Sequence, residues 1–324
     1  MKRLMRILMY GIGAVCLIVL GLLFYVTKIL PDVGPVPDIT VDITDERVER
    51  GRYLANHVML CMDCHATRDF SLFAGPPEPG TLGAGGERFD HSMGFPGVFI
   101  SPNITPAALG DWTDGEIFHM ITTGVNREGK AVFPVMPYHR YGTLDEEDIY
   151  AVIAYLRSLD PIVAEHERSK ADFPVNLLLN TLPTAPSFSP MPPKNDPVEY
   201  GRYMIAAAAC GDCHTKRDGP AYVGEPYAGG NEFQMPDGSV VRAVNLTPHE
   251  TGLGAWTKEM FVERFKIYAD SAYVPPAVAP GELQTIMPWL MYADMEREDL
   301  EAIYDYLQTL QPVDNPVIRF SAAE

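Results

Sequence analysis

Alternating apolar and polar residues, the signature of half-buried strands, are scarce in this chain, which favours helices joined by loops. Cysteine is scarce too, with five in 324 residues. Four of them sit in two short matched motifs, so no disulfide framework remains. The fifth, Cys16, lies in an apolar run and reads as a small buried apolar side chain. Basic residues thin out after the first segment. Lys2, Arg3, Arg6 and Lys28 flank that segment, and the remainder holds 21 bases against 43 acids, about −22. Such a field disfavours nucleic acid and would steer a positively charged partner, although charge alone also keeps a protein soluble. Apolar residues make up 47% of the chain, enough for a packed core, and the length suits two modest domains.

Only one long charge-free apolar run is present, the twenty residues from Ile7 to Val26. As a helix it would span about 30 Å, the thickness of a bilayer core. The basic cluster before it places that end in the cytoplasm and the rest of the chain on the periplasmic or outer face. A cleaved signal peptide is the competing reading. The run is long for one, and Thr27-Lys28-Ile29-Leu30-Pro31 offers no small-residue cleavage site, which favours a retained anchor.

What is present, twice, is Cys-x-x-Cys-His: Cys61-Met62-Asp63-Cys64-His65 and Cys210-Gly211-Asp212-Cys213-His214. This is the covalent attachment pattern of c-type haem. Two thiols three residues apart lie on one helical face, where they can bond the two vinyl groups of one porphyrin, and the next residue places an imidazole beneath the iron. Zinc knuckles and redox dithiols share the Cys-x-x-Cys element. A zinc site, however, usually needs a second ligand pair nearby, and these pairs lie almost 150 residues apart, each with its own His. The expected cofactors are two covalently bound haem c groups, with Cys61, Cys64, Cys210 and Cys213 as thioether donors and His65 and His214 as axial ligands.

Other elements recur in the same order. Gly51-Arg52-Tyr53 matches Gly201-Arg202-Tyr203, and Asn103-Ile104-Thr105-Pro106 matches Asn245-Leu246-Thr247-Pro248. Gly110-Asp111-Trp112-Thr113 matches Gly254-Ala255-Trp256-Thr257, and Met136-Pro137-Tyr138 matches Met287-Pro288-Trp289. The stretch from Glu146 to Pro161 matches that from Glu296 to Pro312. Ordered matches of this kind imply internal duplication, with insertions and deletions confined to the loops between. Thr113 and Glu116 form a capping box, Gly85-Gly86 and Gly229-Gly230 mark turns, and Ile149, Val152, Ile153 and Leu156 have helical spacing, as do Leu300, Ile303, Tyr304 and Leu307. The parsing is an N-terminus and transmembrane anchor over 1–30, a linker over 31–44, one haem domain over 45–162, a Pro-rich connection over 163–196 and a second haem domain over 197–324. The apolar stretch from Phe173 to Leu182 inside the connection is expected to pack on a domain.

An electron-carrying haem needs a sixth ligand, and a thioether raises its potential while closing the iron to substrates. Met136 lies 71 residues after His65 and Met287 lies 73 after His214, each before a proline and two residues before an aromatic side chain. Their equivalent places make them the expected ligands. Met93 and Met120 compete for the first site and Met291 and Met295 for the second, without counterparts across the repeat. The remaining histidines (His57, His91, His119, His139, His166, His249) have no repeat partners and are expected to hydrogen-bond or face solvent.

These motifs, together with the Gly-Gly-x-x-Phe loop and the Tyr-Leu-x-x-Leu-x-Pro helix end, resemble those of the cytochrome c subunits of bacterial alcohol and gluconate dehydrogenases over most of the chain after the anchor. Phe173-Pro174-Val175-Asn176 resembles their linker. The resemblance implies an all-α fold of two tandem class I cytochrome c domains after one N-terminal transmembrane helix. It also implies crossing terminal helices in each domain, with Gly51 against Tyr155 and Gly201 against Tyr306. Those subunits usually carry three haems and a C-terminal attachment, whereas this chain has two motifs and an N-terminal apolar run. The implied function is a membrane-tethered diheme electron carrier of a respiratory or photosynthetic chain, not itself an enzyme. Its partners would be a dehydrogenase, a quinol-oxidising complex or a terminal oxidase. The alternatives are a diheme peroxidase, against which the two Met-Pro elements argue, the cytochrome subunit of a haem–copper oxidase, and a subunit whose haems serve assembly.

Overall fold

A computed structural model describes residues 2–219 and 221–323. Helix α1 (Lys2–Phe24) continues through a wider π-type turn at Tyr25–Ile29, and none of its residues is buried. The twenty-eight residues from Lys2 to Ile29 form a helix long and apolar enough to cross a membrane. An extended stretch leads to α2 (Asp45–Tyr53), which is capped by the Thr44 hydroxyl accepting from the Arg47 amide and ends in a second π-type turn at Leu54–Val58. The first Cys-x-x-Cys unit is α3 (Cys61–Cys64), followed by α4 (Pro106–Leu109), α5 (Asp114–Thr123), α6 (Tyr138–Tyr141) and α7 (Glu146–Ser158). The capping box of Thr113 and Glu116 at the start of α5 is present in full. Helix α8 (Val175–Leu178) lies in the connection. Then come α9 (Pro197–Ala207), α10 (Cys210–His214), α11 (Lys258–Lys266), α12 (Trp289–Tyr292) and α13 (Arg297–Leu307).

The core is built on two crossings, α2 with α7 and α9 with α13. Glycine makes each crossing close. A Cβ on Gly51 would sit 1.8 Å from the Ala151 carbonyl oxygen and 2.8 Å from Tyr155 Cβ, and one on Gly201 would sit 1.9 Å from the Ala302 carbonyl oxygen. The first pairing is the expected one. In the second, the backbone of Ala302 and Ile303 comes closest to Gly201, one turn before Tyr306. Leu54, Val58, Ile149, Val152, Ile153, Met204, Ile205, Leu300, Ile303 and Leu307 belong to one continuous apolar core that joins both crossings.

The chain is helical in its core, but it is not free of strands. β1 (Arg88–Phe89), β2 (Gly97–Ile100) and β3 (Lys170–Ala171) form one antiparallel sheet, and β6 (Glu232–Gln234), β7 (Val240–Arg242) and β8 (Phe320–Ser321) form another in the same order. A small hairpin joins β4 (Arg217–Asp218) to β5 (Ala221–Tyr222). Strands of two to four residues are too short for their alternation to show in sequence, yet they satisfy backbone groups of the glycine-rich loops. β3 lies within residues 163–196 and pairs Gly97 with Ala171, so part of the connection completes the first sheet as β8 completes the second.

Candidate functional site

Each Cys-x-x-Cys-His unit is set up by a left-handed residue. Leu60 (φ 57°) precedes Cys61 and Ala209 (φ 51°) precedes Cys210, turning the chain sharply into the short helix that carries the thiols. A tyrosine secures the turn from behind: the Tyr141 hydroxyl donates to the Met59 carbonyl (2.7 Å) and the Tyr292 hydroxyl to the Ala208 carbonyl (2.8 Å). Burial pushes the thiols of Cys61, Cys64 and Cys210 up to about 12, and that of Cys213 to about 11. Cys213 is exposed at the surface. Among the described residues no group of three or more His, Cys, Asp or Glu converges as a metal-ion site. That weighs against the zinc reading.

The two imidazoles are oriented alike. His65 Nδ1–H donates to the Pro102 carbonyl (2.7 Å) and His214 Nδ1–H to the Val244 carbonyl (2.8 Å). The bond fixes the tautomer and leaves Nε2 with its lone pair for a metal. Burial lowers the pKa of both rings and so favours this neutral form. The carbonyl of each histidine accepts from a glycine amide, Gly85 to His65 (3.0 Å) and Gly229 to His214 (2.8 Å). Both glycines have positive φ, and a Cβ on either would lie 2.5 Å from backbone atoms of Ser101 or Val244. The strand-side loop that carries the accepting carbonyls is thereby drawn against the motif. Asn103 and Asn245 brace that loop: each Oδ1 accepts from the amide and hydroxyl of the threonine two residues on, and each Nδ2 donates to a carbonyl, of Ile162 or Val313.

The Met-Pro elements also share a conformation. Pro137 (φ −81°, ψ 50°) and Pro288 (φ −81°, ψ 61°) are the centres of inverse γ-turns, closed by Tyr138 N–H to the Met136 carbonyl (2.9 Å) and Trp289 N–H to the Met287 carbonyl (2.8 Å). Met136 and Met287 are half-buried and pack on the core edge, as do Trp112 and Trp256. Met295, a sequence-level competitor, is instead fully buried in the core.

The residues present fit a haem c at each motif: paired thiols on one helical turn, an imidazole with its outer nitrogen tied back, and a methionine on a rigid turn, each feature repeated. When bound, the haem would supply a one-electron iron centre. The chain itself keeps the His65 and His214 rings neutral and sets each pair of thiols on one short helix.

Sequence reasoning missed how the two halves grip each other. Tyr53 donates to Asp299 (2.6 Å) and Tyr203 to Asp148 (2.7 Å), a reciprocal exchange between equivalent residues of the repeats. The same hydroxyls accept from the amides of Glu296 and Asp145. Within each repeat the aspartate is held again, Asp148 by the Arg50 guanidinium (2.8 and 2.9 Å) and Asp299 by the Tyr200 hydroxyl (2.9 Å). Burial, reinforced by the facing carboxylate, pushes the Tyr53 and Tyr203 hydroxyls well above their ordinary pKa, so they remain donors. The recurrence of Tyr in Gly-Arg-Tyr and of Asp at the start of the last helix was the available signal.

Two histidines also join the halves. His57 Nδ1–H donates to the Met291 carbonyl (3.0 Å), and His139 lies 3.2 Å from the Asp212 carboxylate. Arg140 and Tyr222 donate to Asp212 as well. Burial opposes the charge of Asp212, but His139, Arg140 and Tyr222 hold its carboxyl well below the usual range. Its counterpart Asp63 pairs, among the described residues, with Arg68 (3.2 Å), and there burial wins and raises the pKa. Of the other histidines, His91 bonds to Asp172, His166 to the Ala84 carbonyl and His249 to Thr251, whereas His119, against expectation, is buried on α5.

Comparison with known proteins gives the same direction. No family model matches the chain. The cytochrome c subunit of the quinone alcohol dehydrogenase of Gluconacetobacter polyoxogenes is 25% identical over 292 residues, covering 85% of this chain and 58% of that protein. The fructose dehydrogenase cytochrome subunit of Gluconobacter japonicus is 28% identical over 281 residues, covering 81% and 52%. The chain is similar to cytochrome c subunits of dehydrogenases. It spans little more than half the length of these relatives. A diheme c-type cytochrome of Cereibacter sphaeroides is 29% identical over 168 residues, covering 49% of this chain and 54% of that one. The N-terminal apolar helix fits membrane anchoring, and the cytochrome c names of the relatives fit the two attachment motifs.

Proposed function

We propose that this chain is a membrane-tethered diheme cytochrome c that relays electrons on the outer face of the cytoplasmic membrane, as the cytochrome subunit of a larger oxidoreductase complex. A dehydrogenase is the favoured partner. The observation that carries the reading is the duplicated set of fixed groups: thiol pair, Nδ1-tethered histidine, and methionine on an inverse γ-turn. Cys61, Cys64, His65 and Met136 would hold one haem, and Cys210, Cys213, His214 and Met287 the other. Residues 45–162 and 197–324 would then be tandem class I cytochrome c domains. Two coordinatively closed irons suit outer-sphere transfer rather than bond chemistry at either metal. The acidic surface would favour a positively charged docking face on a soluble partner.

The contacts across the halves support transfer between the two centres. His57 of the first half bonds the Met291 carbonyl of the second, and His139 and Arg140 of the first half meet Asp212 beside Cys213. The test is a spectrum and a mass of the protein purified from a host with a haem-attachment system. A sharp reduced α-band and a mass increase of two haems per chain are expected. One haem per chain, or none, would overturn the assignment.

A further inference from the structure

The sequence leads one to expect that the apolar stretch Phe173 to Leu182 packs onto a domain, but only Leu179 within it is buried. Phe173 is 79% exposed, Leu178 52% and Leu182 38%. The stretch is nonetheless held in place. Before it, Asp172 N–H donates to the Pro96 carbonyl and the Asp172 carboxylate meets His91 at 2.7 Å. After it, Ser187 N–H donates to the Gly142 carbonyl. Its middle rests on the end of the apolar helix: α8 and the following turn Leu179–Thr181 pack against Tyr25–Ile29, and Asn180 Nδ2 donates to the Val26 carbonyl (3.0 Å). That carbonyl needs an outside donor. The amide of Leu30 bonds back to Tyr25, and the next residue, Pro31, has no N–H to offer.

Val26 closes the apolar run that begins at Ile7, and twenty helical residues span about the 30 Å of a bilayer core. A side chain bonded to the Val26 carbonyl is therefore fixed at the depth where hydrocarbon meets headgroups. Tyr25 and Ile29, beside it, are themselves half exposed. We propose that Phe173, Leu178 and Leu182 form a second membrane contact, an apolar face inserted into the near leaflet beside the anchor. It would set the tilt of the haem-bearing part over the bilayer, which a single helix followed by a linker leaves free. The inference rests on the reading of α1 as an anchor, and the contact surface is lipid, continuous with the surface of that helix.

The test uses the full chain in nanodiscs of phosphatidylcholine and phosphatidylglycerol, with an apolar carbene-generating photolabel dissolved in the bilayer and the label mapped by peptide mass spectrometry. Label is expected in Phe173–Leu182 as well as in Ile7–Val26. In Leu178→Asp, label in the first region should fall several-fold while label in Ile7–Val26 stays the same. Label in Ile7–Val26 alone would overturn the lipid contact, leave the anchor standing, and assign the exposed face to water or to another protein. Label in neither region would remove the anchor and the contact together. Equal label in Leu178→Asp and the unaltered chain would also overturn the proposal, because insertion of an aspartate into hydrocarbon is strongly disfavoured.

Discussion

Arg140 follows Met136 by four residues, yet it grips Asp212, the residue just before the second cysteine of the other repeat. Its Nε and a terminal nitrogen donate to one carboxylate oxygen at 3.0 and 2.8 Å. The turn that carries one proposed axial ligand is thus tied to the attachment helix of the other haem. Replacement by Gln removes one positive charge beside that helix and leaves Asp212 less compensated. Negative potential stabilises ferric iron, so the potential of the second haem should fall in Arg140→Gln, by roughly 30–60 mV, where about 59 mV is a tenfold change for one electron. The first haem should move less. Spectroelectrochemical titration resolves the two; equal shifts in both, or none, would remove the local coupling.

The reciprocal bonds Tyr53 to Asp299 and Tyr203 to Asp148 give a second expectation. Each hydroxyl serves a buried carboxylate, and loss of a hydrogen bond to a charged group costs about 1.5–3 kcal/mol. Tyr53→Phe and Tyr203→Phe should each lower the urea midpoint, Tyr53→Phe by the larger amount, because Asp148 keeps the two bonds from the Arg50 guanidinium while Asp299 keeps only the Tyr200 hydroxyl and the more distant Lys194. Asp299→Asn with Tyr53 intact should cost less than Asp299→Ala, since the amide oxygen still accepts. Similar midpoints for Asn and Ala would show that packing rather than hydrogen bonding matters there.

Much of this was legible in the sequence because it repeats. The attachment motifs, the glycine turns, the capping box at Thr113 and the helical spacing around Ile149 and Leu300 are local signals, each tied to a local geometry. The cross-links between halves are different in kind. Nothing near Tyr53 points to Asp299, 246 residues away, and nothing near Arg140 points to Asp212. Such pairs depend on how two helix crossings are set against each other, which no window of sequence contains. The short strands escaped for another reason: two to four residues carry too few alternations to be told from loop. The exposure of Phe173, Leu178 and Leu182 was not legible either, because an apolar segment reads the same whatever covers it.

Glu87 makes stability depend on pH. It is buried, and burial raises its carboxyl to about 7 despite the opposing charge of Arg68. A carboxyl with a folded pKa above its unfolded value binds more protons in the native state between about 4.5 and 7. Stability from this group is therefore greatest below that window and declines as pH rises through it, by roughly 3 kcal/mol in all. Glu87→Gln should flatten the profile between pH 5 and 8 and stabilise the protein at pH 8. Urea unfolding at both pH values checks the sign, and an unchanged slope would show that Glu87 titrates normally.

Gly201 and Gly51 set the spacing of the helix crossings, and a methyl group at either would have to displace backbone. The carbonyl oxygens of Ala302 and Ala151 lie 1.9 and 1.8 Å from the built Cβ positions, and neither can swing away as a side chain could. Overpacking of this kind costs typically about 1–3 kcal/mol, and contact with backbone belongs at the upper end. Gly201→Ala and Gly51→Ala should lower the melting temperature of the holoprotein. Gly129→Ala is the control for a glycine with open surroundings, although its φ of 73° still carries backbone strain. A crossing variant less destabilised than the control would mean that the helices part without cost.

The proposed axial methionines make the sharpest distinction between a carrier and a peroxidase-type site. If Met136 and Met287 each close an iron, the reduced protein should bind no carbon monoxide. Met136→Ala and Met287→Ala should each bind one molecule per chain, and the double variant two. Each single variant should also lose roughly 100 mV or more from the potential of one haem only, because the thioether favours ferrous iron. The inverse γ-turns fix the backbone through Pro137 and Pro288, so truncation beyond Cβ should leave the fold intact, and circular dichroism checks that. Carbon monoxide binding by the unaltered protein would mean that one site is open. Hydrogen peroxide turnover would then become the first property to measure, and Met291 or Met93 would have to be weighed again as the ligand at whichever site remains closed.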